Sequence, residues 1–199
     1  MSDLNPIVSI CCVTYQHVNY IKDSLDGFLM QETNFPYEIC LGEDESNDGT
    51  REICQEYAEK YPGKIKMFFR KRSNDPYIKQ GFYGKYNFIK TLKECQGKYI
   101  ALCDGDDYWT DPYKLQKQVD LLKESDGISM CYHKVIRPGT KLDEDTYLIK
   151  NDLSTAFIPT SSVVFRNKKL RTRNCQREVN CRNCFNRRGV STKAFTSIS

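Results

Sequence analysis

Three aspartates stand at the end of one apolar segment, in the sequence KYIALCDGDDYW. Asp104, Asp106 and Asp107 occupy three of four consecutive positions there. Carboxylates this close repel each other unless a cation lies between them. Magnesium and manganese are commonly held by carboxylates together with substrate phosphates. The spacing therefore indicates a divalent metal, Mg²⁺ or Mn²⁺, beside a phosphorylated ligand. The competing interpretation is that the aspartates only form a turn and start a helix.

Two further polar clusters follow other apolar segments of the same kind. Thr14 and Tyr15 follow the run IVSICCV, and Glu43, Asp44 and Asp48 lie in GEDESNDGT, after the run YEICL. Such short runs are typical of strands that are buried on both faces. In an open parallel sheet, ligands bind beyond the carboxyl ends of the strands. We therefore expect the three polar clusters to meet at one edge of the sheet.

The elements that must position these clusters alternate between strand and helix patterns up to residue 135. Repeated β-α units predict a doubly wound α/β fold with a mostly parallel sheet and helices on both faces. Asp111 and Pro112 suit the cap and the first position of the fourth helix. Strands are predicted at 7–14, 37–43, 65–69, 98–104, 128–135 and 160–166, and helices at 21–29, 53–61, 88–95 and 112–124.

Charge is distributed unevenly along the 199 residues, whose net charge is +4. Residues 1–167 carry 21 basic and 25 acidic side chains, whereas residues 168–199 carry 9 and 1. The positive excess belongs to the tail, so the body lacks a nucleic-acid signature and no nucleic-acid partner is expected. Arg70, Lys71 and Arg72 are interpreted as a solvated strand end. Contact with a diphosphate or an anionic membrane is the alternative.

The N-terminal sequence and the cysteines both bear on the compartment. MSDLNP has acid and proline where a signal peptide has basic residues and an apolar core. No apolar run approaches the roughly 20 residues of a membrane span. We therefore expect a cytoplasmic protein that contacts, at most, the inner face of the membrane. Seven cysteines lie in apolar stretches and are predicted to be reduced core residues: Cys11, Cys12, Cys40, Cys54, Cys95, Cys103 and Cys131.

The tail differs abruptly from the rest of the chain, so two regions are predicted, 1–167 and 168–199. The tail is rich in Arg, Asn, Cys and Ser. Cys175, Cys181 and Cys184 suggest a zinc site, although a second C-x-x-C pair and a histidine are missing. A basic arm for nucleic acid or lipid is a second interpretation. The favoured hypothesis is a shifted reading frame, which would leave the tail disordered or unrelated.

Three segments together resemble the nucleotide-sugar domain of family 2 glycosyltransferases, which has the GT-A fold. They are PIVSICCVTYQHVNYIKDSLDGFLMQ, YEICLGEDESNDGTREICQEYA and GKYIALCDGDDYWTDPYKLQKQVDLL, and they match in order and spacing across residues 5–135. IPTSSVVFRN also resembles a segment near the acceptor side of many members. The resemblance implies inverting, metal-assisted transfer of a sugar from a nucleotide diphosphate, with UDP favoured. The acceptor would be a hydroxyl of a glycan or lipid-linked carrier, in surface polysaccharide synthesis.

The resemblance also implies which residues would hold the nucleotide sugar. Thr14 and Tyr15 would line the pocket for the base and ribose, and Asp44 would hydrogen-bond the base. Glu43 stands where the family usually has aspartate. Asn87 resembles a position near the sugar diphosphate.

At the other end of the implied site, the aspartates match the family's D-x-D motif. Asp106 would be the direct metal ligand, and Asp104 would face the ribose or sugar while remaining a candidate ligand. Asp107 is a third candidate for the metal. Asp48 is expected to organise the following helix.

The general base is expected beyond residue 167, in an acceptor-binding segment that the tail does not resemble. A base must lie within hydrogen-bond reach of the hydroxyl that it deprotonates. One alternative is therefore a catalytically inactive fragment that binds a nucleotide sugar. A second is a sugar-nucleotide or nucleotidyl transferase. That enzyme should have a glycine-rich phosphate loop after the first strand, where this chain has TYQHVNY.

Overall fold

A computed structural model of the chain describes residues 5–125, 127–133, 135, 158–167 and 197–198. The strands of this part are β1 (Val8–Thr14), β2 (Tyr37–Glu43), β3 (Ile65–Phe69), β4 (Tyr99–Leu102), β5 (Met130–His133), β6 (Val164–Arg166) and β7 (Ser197–Ile198). The helices are α1 (Ile21–Leu29), α2 (Thr50–Lys60), α3 (Lys85–Glu94) and α4 (Lys114–Glu124). Short 3₁₀ turns form at Arg72–Asn74, Ile78–Gln80 and Thr160–Ser162.

The strands form one sheet in the order β3-β2-β1-β4-β6-β5-β7. β1 pairs in parallel with β2 and with β4, and β2 pairs in parallel with β3. β6 is antiparallel to both of its neighbours, β4 and β5. The order of the first four strands reverses direction at β1, so the carboxyl ends of β1, β2 and β4 meet where a doubly wound sheet binds its ligands.

Alternating side chains of the central strands pack into two separate cores. Val8, Ile10 and Cys12 of β1 belong to the core that also contains residues of α1, α2 and α4. Cys11 and Cys40 belong to the smaller core that contains residues of α3. This two-residue period is expected of strands buried on both faces. The prediction of a mostly parallel sheet with helices on both faces is confirmed.

Two details of the predicted elements are wrong. The strand predicted at 160–166 begins only at Val164, after the 3₁₀ turn Thr160–Ser162; its direction was not predicted, and it lies antiparallel between β4 and β5. The fourth helix begins at Lys114, so Asp111 is not its cap. The Asp111 carboxylate accepts instead from the backbone N–H of Tyr113 at 2.9 Å, which makes a turn ahead of the helix.

Trp109, the one tryptophan of the chain, anchors the segment that follows the aspartates. Its ring is buried and meets Phe28 edge-on at 4.9 Å between centroids. Its indole N–H donates to the carbonyl of Ser161 at 2.8 Å. The amine of Lys114 lies 3.7 Å above the ring centroid, and burial lowers the pKa of this lysine to about 7. The anchor fixes the aspartates against α1 and the turn before β6.

The seven cysteines predicted to be reduced core residues all lie in the described part of the chain, where they are buried and free. The interpretations of the tail concern residues 168–196, which lie outside the described residues. Ser197–Ile198 pairs with Tyr132 and His133 of β5. Within the described ranges, no helix has the length and apolar character of a membrane span.

Candidate active site

The polar clusters that follow β1, β2 and β4 lie together at one edge of the sheet. The backbone N–H of Asp44 donates to the carbonyl of Thr14 at 3.1 Å, and that of Gly105 donates to the carbonyl of Val13 at 2.9 Å. The side chain of Thr14 is buried, and Gly105 packs against it. The end of β1 therefore contacts both acidic clusters, as the strand pattern predicted.

Asp104 and Asp107 are half-buried, whereas Asp106 is exposed. Oδ2 of Asp104 accepts a hydrogen bond of 3.1 Å from the hydroxyl of Thr160, at the turn before β6. Burial raises the pKa of the Asp104 carboxyl, and the neighbouring Asp106 and Asp107 raise it further, against the lowering effect of the Thr160 hydrogen bond. The ionised cluster is thus held at an electrostatic cost that a bound cation would relieve.

The turn that carries the aspartates is fixed through its backbone. The N–H of Asp107 donates to the carbonyl of Asp104 at 3.1 Å. The hydroxyl of Ser24, in α1, donates to the carbonyl of Asp107 at 2.6 Å and to that of Gly105 at 3.1 Å. The side chain of Asp106 remains 54% exposed. The turn therefore leaves Asp106 free to reach a ligand while it holds the backbone still.

The aspartate side chains fit a hard divalent cation by their chemistry. They offer crowded carboxylate oxygens, the ligands that Mg²⁺ and Mn²⁺ prefer. Among the residues that the structure describes, no group of three His, Cys, Asp or Glu side chains is arranged to hold an ion by itself. A cation that shares its ligands between protein, phosphate and water does not require such a group.

His17 lies beside this cluster and was missed by the sequence reasoning. Its Nδ1 is 3.2 Å from the hydroxyl oxygen of Thr14, and its Nε2 is 4.0 Å from Oδ2 of Asp106. His17 also lowers the pKa of Asp104, the last among the influences on that carboxyl. A single histidine in the loop after β1 carries no sequence signal for this placement, since 89 residues separate it from Asp106.

At the other end of the site, Asp44 is buried against Arg72. A guanidinium nitrogen of Arg72 donates to Oδ2 of Asp44 at 2.9 Å, and the guanidinium lies 3.9 Å above the ring of Tyr15. Burial raises the pKa of Asp44, Arg72 lowers it, and Asp75 and Glu43 raise it again. Oδ1 of Asp44 is buried and has no hydrogen-bond partner among the described residues.

The position of Arg72 corrects the interpretation of residues 70–72 as a solvated strand end. Lys71 is exposed, but the side chains of Arg70 and Arg72 are only 17% and 21% exposed. The chain turns back after β3 through the 3₁₀ turn Arg72–Asn74, and this brings Arg72 onto the residues that follow β1 and β2. The expected solvation was wrong because the sequence does not show this turn.

Glu43 and Asn87, predicted to hold the nucleotide sugar, have partners within the protein. Glu43 is fully buried and receives a hydrogen bond of 2.6 Å from the backbone N–H of Ser46 and another of 2.6 Å from Nε of Arg51. Asn87 donates to the carbonyl of Gly42 at 2.9 Å. These contacts tie α2 and α3 to the end of β2, and a ligand contact by either residue stays a prediction.

The loops after β1 and β2 are joined through side-chain caps. The backbone N–H of His17 donates to the hydroxyl of Thr50 at 2.8 Å, and that of Val18 donates to Asp48 at 3.1 Å. Asp48 also accepts from the backbone N–H and the hydroxyl of Thr50, the first residue of α2. The prediction that Asp48 organises this helix is confirmed.

Comparison with known proteins gives one family match and several relatives. The family model described as "Glycosyl transferase family 2" matches residues 9–195. An uncharacterised protein of Mycobacterium bovis is 40% identical over 170 residues, which make up 80% of this chain and 46% of the relative. TuaG of Bacillus subtilis is named as a candidate glycosyltransferase of teichuronic acid biosynthesis. It is 31% identical to this chain over 146 residues, which make up 72% of this chain and 54% of TuaG. The chain spans about half the length of the curated relatives it matches.

Solved structures with the same architecture have low sequence identity to this chain. TarS of S. aureus, residues 1–349 in complex with UDP, superposes with a TM-score of 0.62 and 19% identity over 80% of this chain and 46% of that one. A mannosyltransferase of Pyrobaculum calidifontis in complex with GDP-Man and Mn²⁺ superposes with a TM-score of 0.61 and 20% identity. The match covers 83% of this chain and 46% of the mannosyltransferase. These likenesses concern the fold, and they confirm the GT-A type of α/β architecture predicted from the sequence.

Proposed function

Because the chain belongs to glycosyl transferase family 2, we propose that its described residues form the donor site of a transferase that takes the sugar from a UDP-sugar and releases UDP. The sugar passes to a hydroxyl of a glycan or lipid-linked acceptor during polysaccharide synthesis. The observation that carries the proposal is the meeting of two polar ends at Thr14. Asp44 and Arg72 lie at one end, and the aspartate cluster lies at the other. A nucleoside diphosphate likewise has a base at one end, which would face Asp44 and Arg72, and charged phosphates at the other, which would face the aspartate cluster.

The Asp44–Arg72 pair suits uracil by its pattern of donors and acceptors. A carboxylate oxygen accepts from the N3–H of uracil, and a guanidinium N–H donates to the neighbouring carbonyl oxygen of the base. Oδ1 of Asp44 is the acceptor left without a partner within the described part of the chain. Oδ1 is buried in this structure, so in the proposed complex the base would reach it after the neighbouring guanidinium of Arg72 moves along the ring of Tyr15. The base would then stack on the same ring.

At the phosphate end, the chain supplies carboxylates on a fixed turn. Asp106 is the ligand that a divalent cation would bind first, because its side chain is exposed and its backbone is held. Asp104 would bind the ribose or sugar, or share the cation, and Asp107 is the third candidate ligand. The cation, when bound, would neutralise the charge that develops on the departing diphosphate. Attack of the acceptor hydroxyl from the opposite face would invert the anomeric carbon, with a general base supplied from beyond residue 167.

The named relatives and structures support three parts of the proposal: the nucleotide, the divalent metal and the polysaccharide product. UDP is bound in the TarS structure, and Mn²⁺ accompanies GDP-Man in the mannosyltransferase structure. The name of TuaG points to a cell-surface polysaccharide. The family match favours a glycosyltransferase over a nucleotidyl transferase. A cytoplasmic location, at the inner face of the membrane where a lipid-linked acceptor would lie, completes the proposal and can be checked by cell fractionation.

The proposed base recognition predicts that the chain prefers UDP to CDP. Cytosine presents an unprotonated N3 to Asp44, which leaves the carboxylate opposite another acceptor. An unsatisfied buried polar group costs about 1–3 kcal/mol, so CDP should bind roughly tenfold to a hundredfold more weakly. Asp44→Asn should narrow this preference, since an amide N–H can donate to N3 of cytosine. Calorimetric titration of both nucleotides into both proteins measures the two ratios.

The ratio of the two affinities serves as its own control, because a general loss of folding lowers both equally. Equal affinity of the wild-type chain for UDP and CDP would contradict the proposed role of Asp44. An unchanged ratio in the Asp44→Asn variant would contradict it as well. Either result would leave the aspartate cluster to be tested separately.

A further inference from the structure

We propose that His17 is a positioning residue that holds Asp106 toward the cation and the diphosphate. The inference rests on the proposed function, and it assigns a role to a residue outside the acidic clusters. Three observations carry it: the contact between the Thr14 hydroxyl and the imidazole, the approach of the imidazole to Asp106, and the fixed backbone of His17.

The contact with Thr14 is compatible with a donor hydroxyl and an acceptor Nδ1, and this is the arrangement that the proposal uses. Nδ1 of His17 lies 3.2 Å from Oγ1 of Thr14. When the hydroxyl donates to Nδ1, the neutral ring keeps its hydrogen on Nε2. The neighbouring carboxylates favour this tautomer, because Nε2 faces Asp106 and a lone pair there would meet negative charge. The ring therefore presents an N–H to Asp106.

The distance from Nε2 to Oδ2 of Asp106 is 4.0 Å, about 1 Å longer than a hydrogen bond. Asp106 is the partner that can close it, since its side chain is 54% exposed and that of His17 is 24% exposed. A rotation of the carboxylate toward Nε2 would make the bond and leave the other oxygen, Oδ1, for the cation. Carboxylates that bind metals are commonly held by a hydrogen bond of this kind.

Hydrogen bonds hold both the N–H and the carbonyl of His17, so the position from which its side chain extends is fixed. Its N–H donates to the hydroxyl of Thr50 at 2.8 Å, and its carbonyl accepts from the N–H groups of Tyr20 and Ile21, both at 2.9 Å. Gly105 lies under the ring, where an added Cβ would come within 3.1 Å of Nδ1. The imidazole is thus confined between the loop after β1 and the aspartate turn.

Three substitutions at residue 17 separate this role from a merely structural one. In His17→Gln, the longer amide can donate near the position of Nε2. In His17→Asn, the shorter amide can still meet Thr14 but does not reach Asp106. His17→Ala removes both contacts. Binding of Mn²⁺ is followed by the electron paramagnetic resonance signal of the free aqueous ion, with UDP at saturation. UDP binding is measured separately by calorimetry in EDTA.

We expect His17→Asn and His17→Ala to weaken Mn²⁺ binding by roughly tenfold or more, as other partners of metal-binding residues do. His17→Gln should stay close to the wild-type affinity, and UDP binding in EDTA should be unchanged in all three. Wild-type Mn²⁺ affinity in His17→Asn, or equal losses in the Asn and Gln variants, would overturn the inference alone. A matching loss of UDP affinity in EDTA would also overturn it, by assigning His17 to the nucleotide pocket. If the wild-type chain binds neither UDP nor Mn²⁺, the proposed function fails, and the inference fails with it.

Discussion

The Asp106→Asn variant is expected to bind UDP in the presence of Mn²⁺ at least about tenfold more weakly than the wild-type chain. Mutation of a residue that only hydrogen-bonds a metal ligand already costs about 10–100-fold in metal affinity. Asp106 is the proposed direct ligand, so its loss should cost at least as much. Asparagine keeps the size and the backbone turn but removes the negative charge from the exposed end of the cluster. Calorimetric titration of UDP at saturating Mn²⁺ measures the loss.

Two controls separate this loss from a general effect of charge or folding. Asp23→Asn removes one negative charge from an exposed position on α1 and should bind UDP as the wild-type chain does. In EDTA, Asp106→Asn should bind UDP at least as tightly as the wild-type chain, because without the cation the lost carboxylate charge only removes repulsion of the diphosphate. If Asp106→Asn retains the full affinity in Mn²⁺, Asp106 does not bind the cation.

The second large effect is expected from Gly105→Ala, which changes none of the proposed ligands. A Cβ at Gly105 would lie 2.6 Å from Oγ1 and 2.7 Å from Cβ of Thr14. Thr14 is buried at the end of β1 and cannot yield, so the aspartate turn must move. Overpacking of this kind costs about 1–3 kcal/mol of unfolding free energy. We expect that loss together with weaker binding of UDP in Mn²⁺.

Urea unfolding and UDP titration of the same Gly105→Ala sample measure the two effects. Gly127→Ala is the matched control, since an added Cβ at Gly127 meets nothing within 4 Å among the described atoms. It should leave the UDP affinity unchanged and should not lower the unfolding free energy, since alanine at an unstrained position raises that free energy by about 0.4–1 kcal/mol through the unfolded chain. A Gly105→Ala variant that binds UDP as the wild-type chain does would show that the turn need not hold its present position against Thr14.

The sequence predicted the edge of the sheet at which the polar clusters meet, because local patterns determine that part of the fold. Short apolar runs marked β1, β2 and β4, and the rule that parallel strands present their carboxyl ends together placed Thr14, Asp44 and Asp104 at one edge. The direction of β6 could not be predicted in this way. An apolar run such as SSVVF gives a strand but not its partner, and antiparallel insertion between β4 and β5 depends on long-range pairing.

Residues that complete the site from a distance in sequence were the least predictable. Arg72 is 28 residues from Asp44, and a 3₁₀ turn places it against that carboxylate. The sequence of this turn has no apolar periodicity from which the turn could be predicted. His17 stands in the loop next to Thr14, but its relation to Asp106 arises only when β4 pairs with β1. The acidic clusters could be predicted as candidate site residues from their charge alone. The ion pair that Glu43 forms with Arg51 inside the protein could not be predicted in this way.

The central claim is that this chain holds a uridine diphosphate through a divalent cation. The measurement that tests it most directly is calorimetric titration of UDP into the purified 199-residue chain, once with Mn²⁺ and once with EDTA. We expect saturable binding that Mn²⁺ strengthens by at least about tenfold, since loss of a single hydrogen-bond partner of a metal-binding residue already changes metal affinity by about that factor. Absence of binding in both conditions, from a sample that circular dichroism shows to be folded, would contradict the claim, and so would binding of equal strength with and without Mn²⁺.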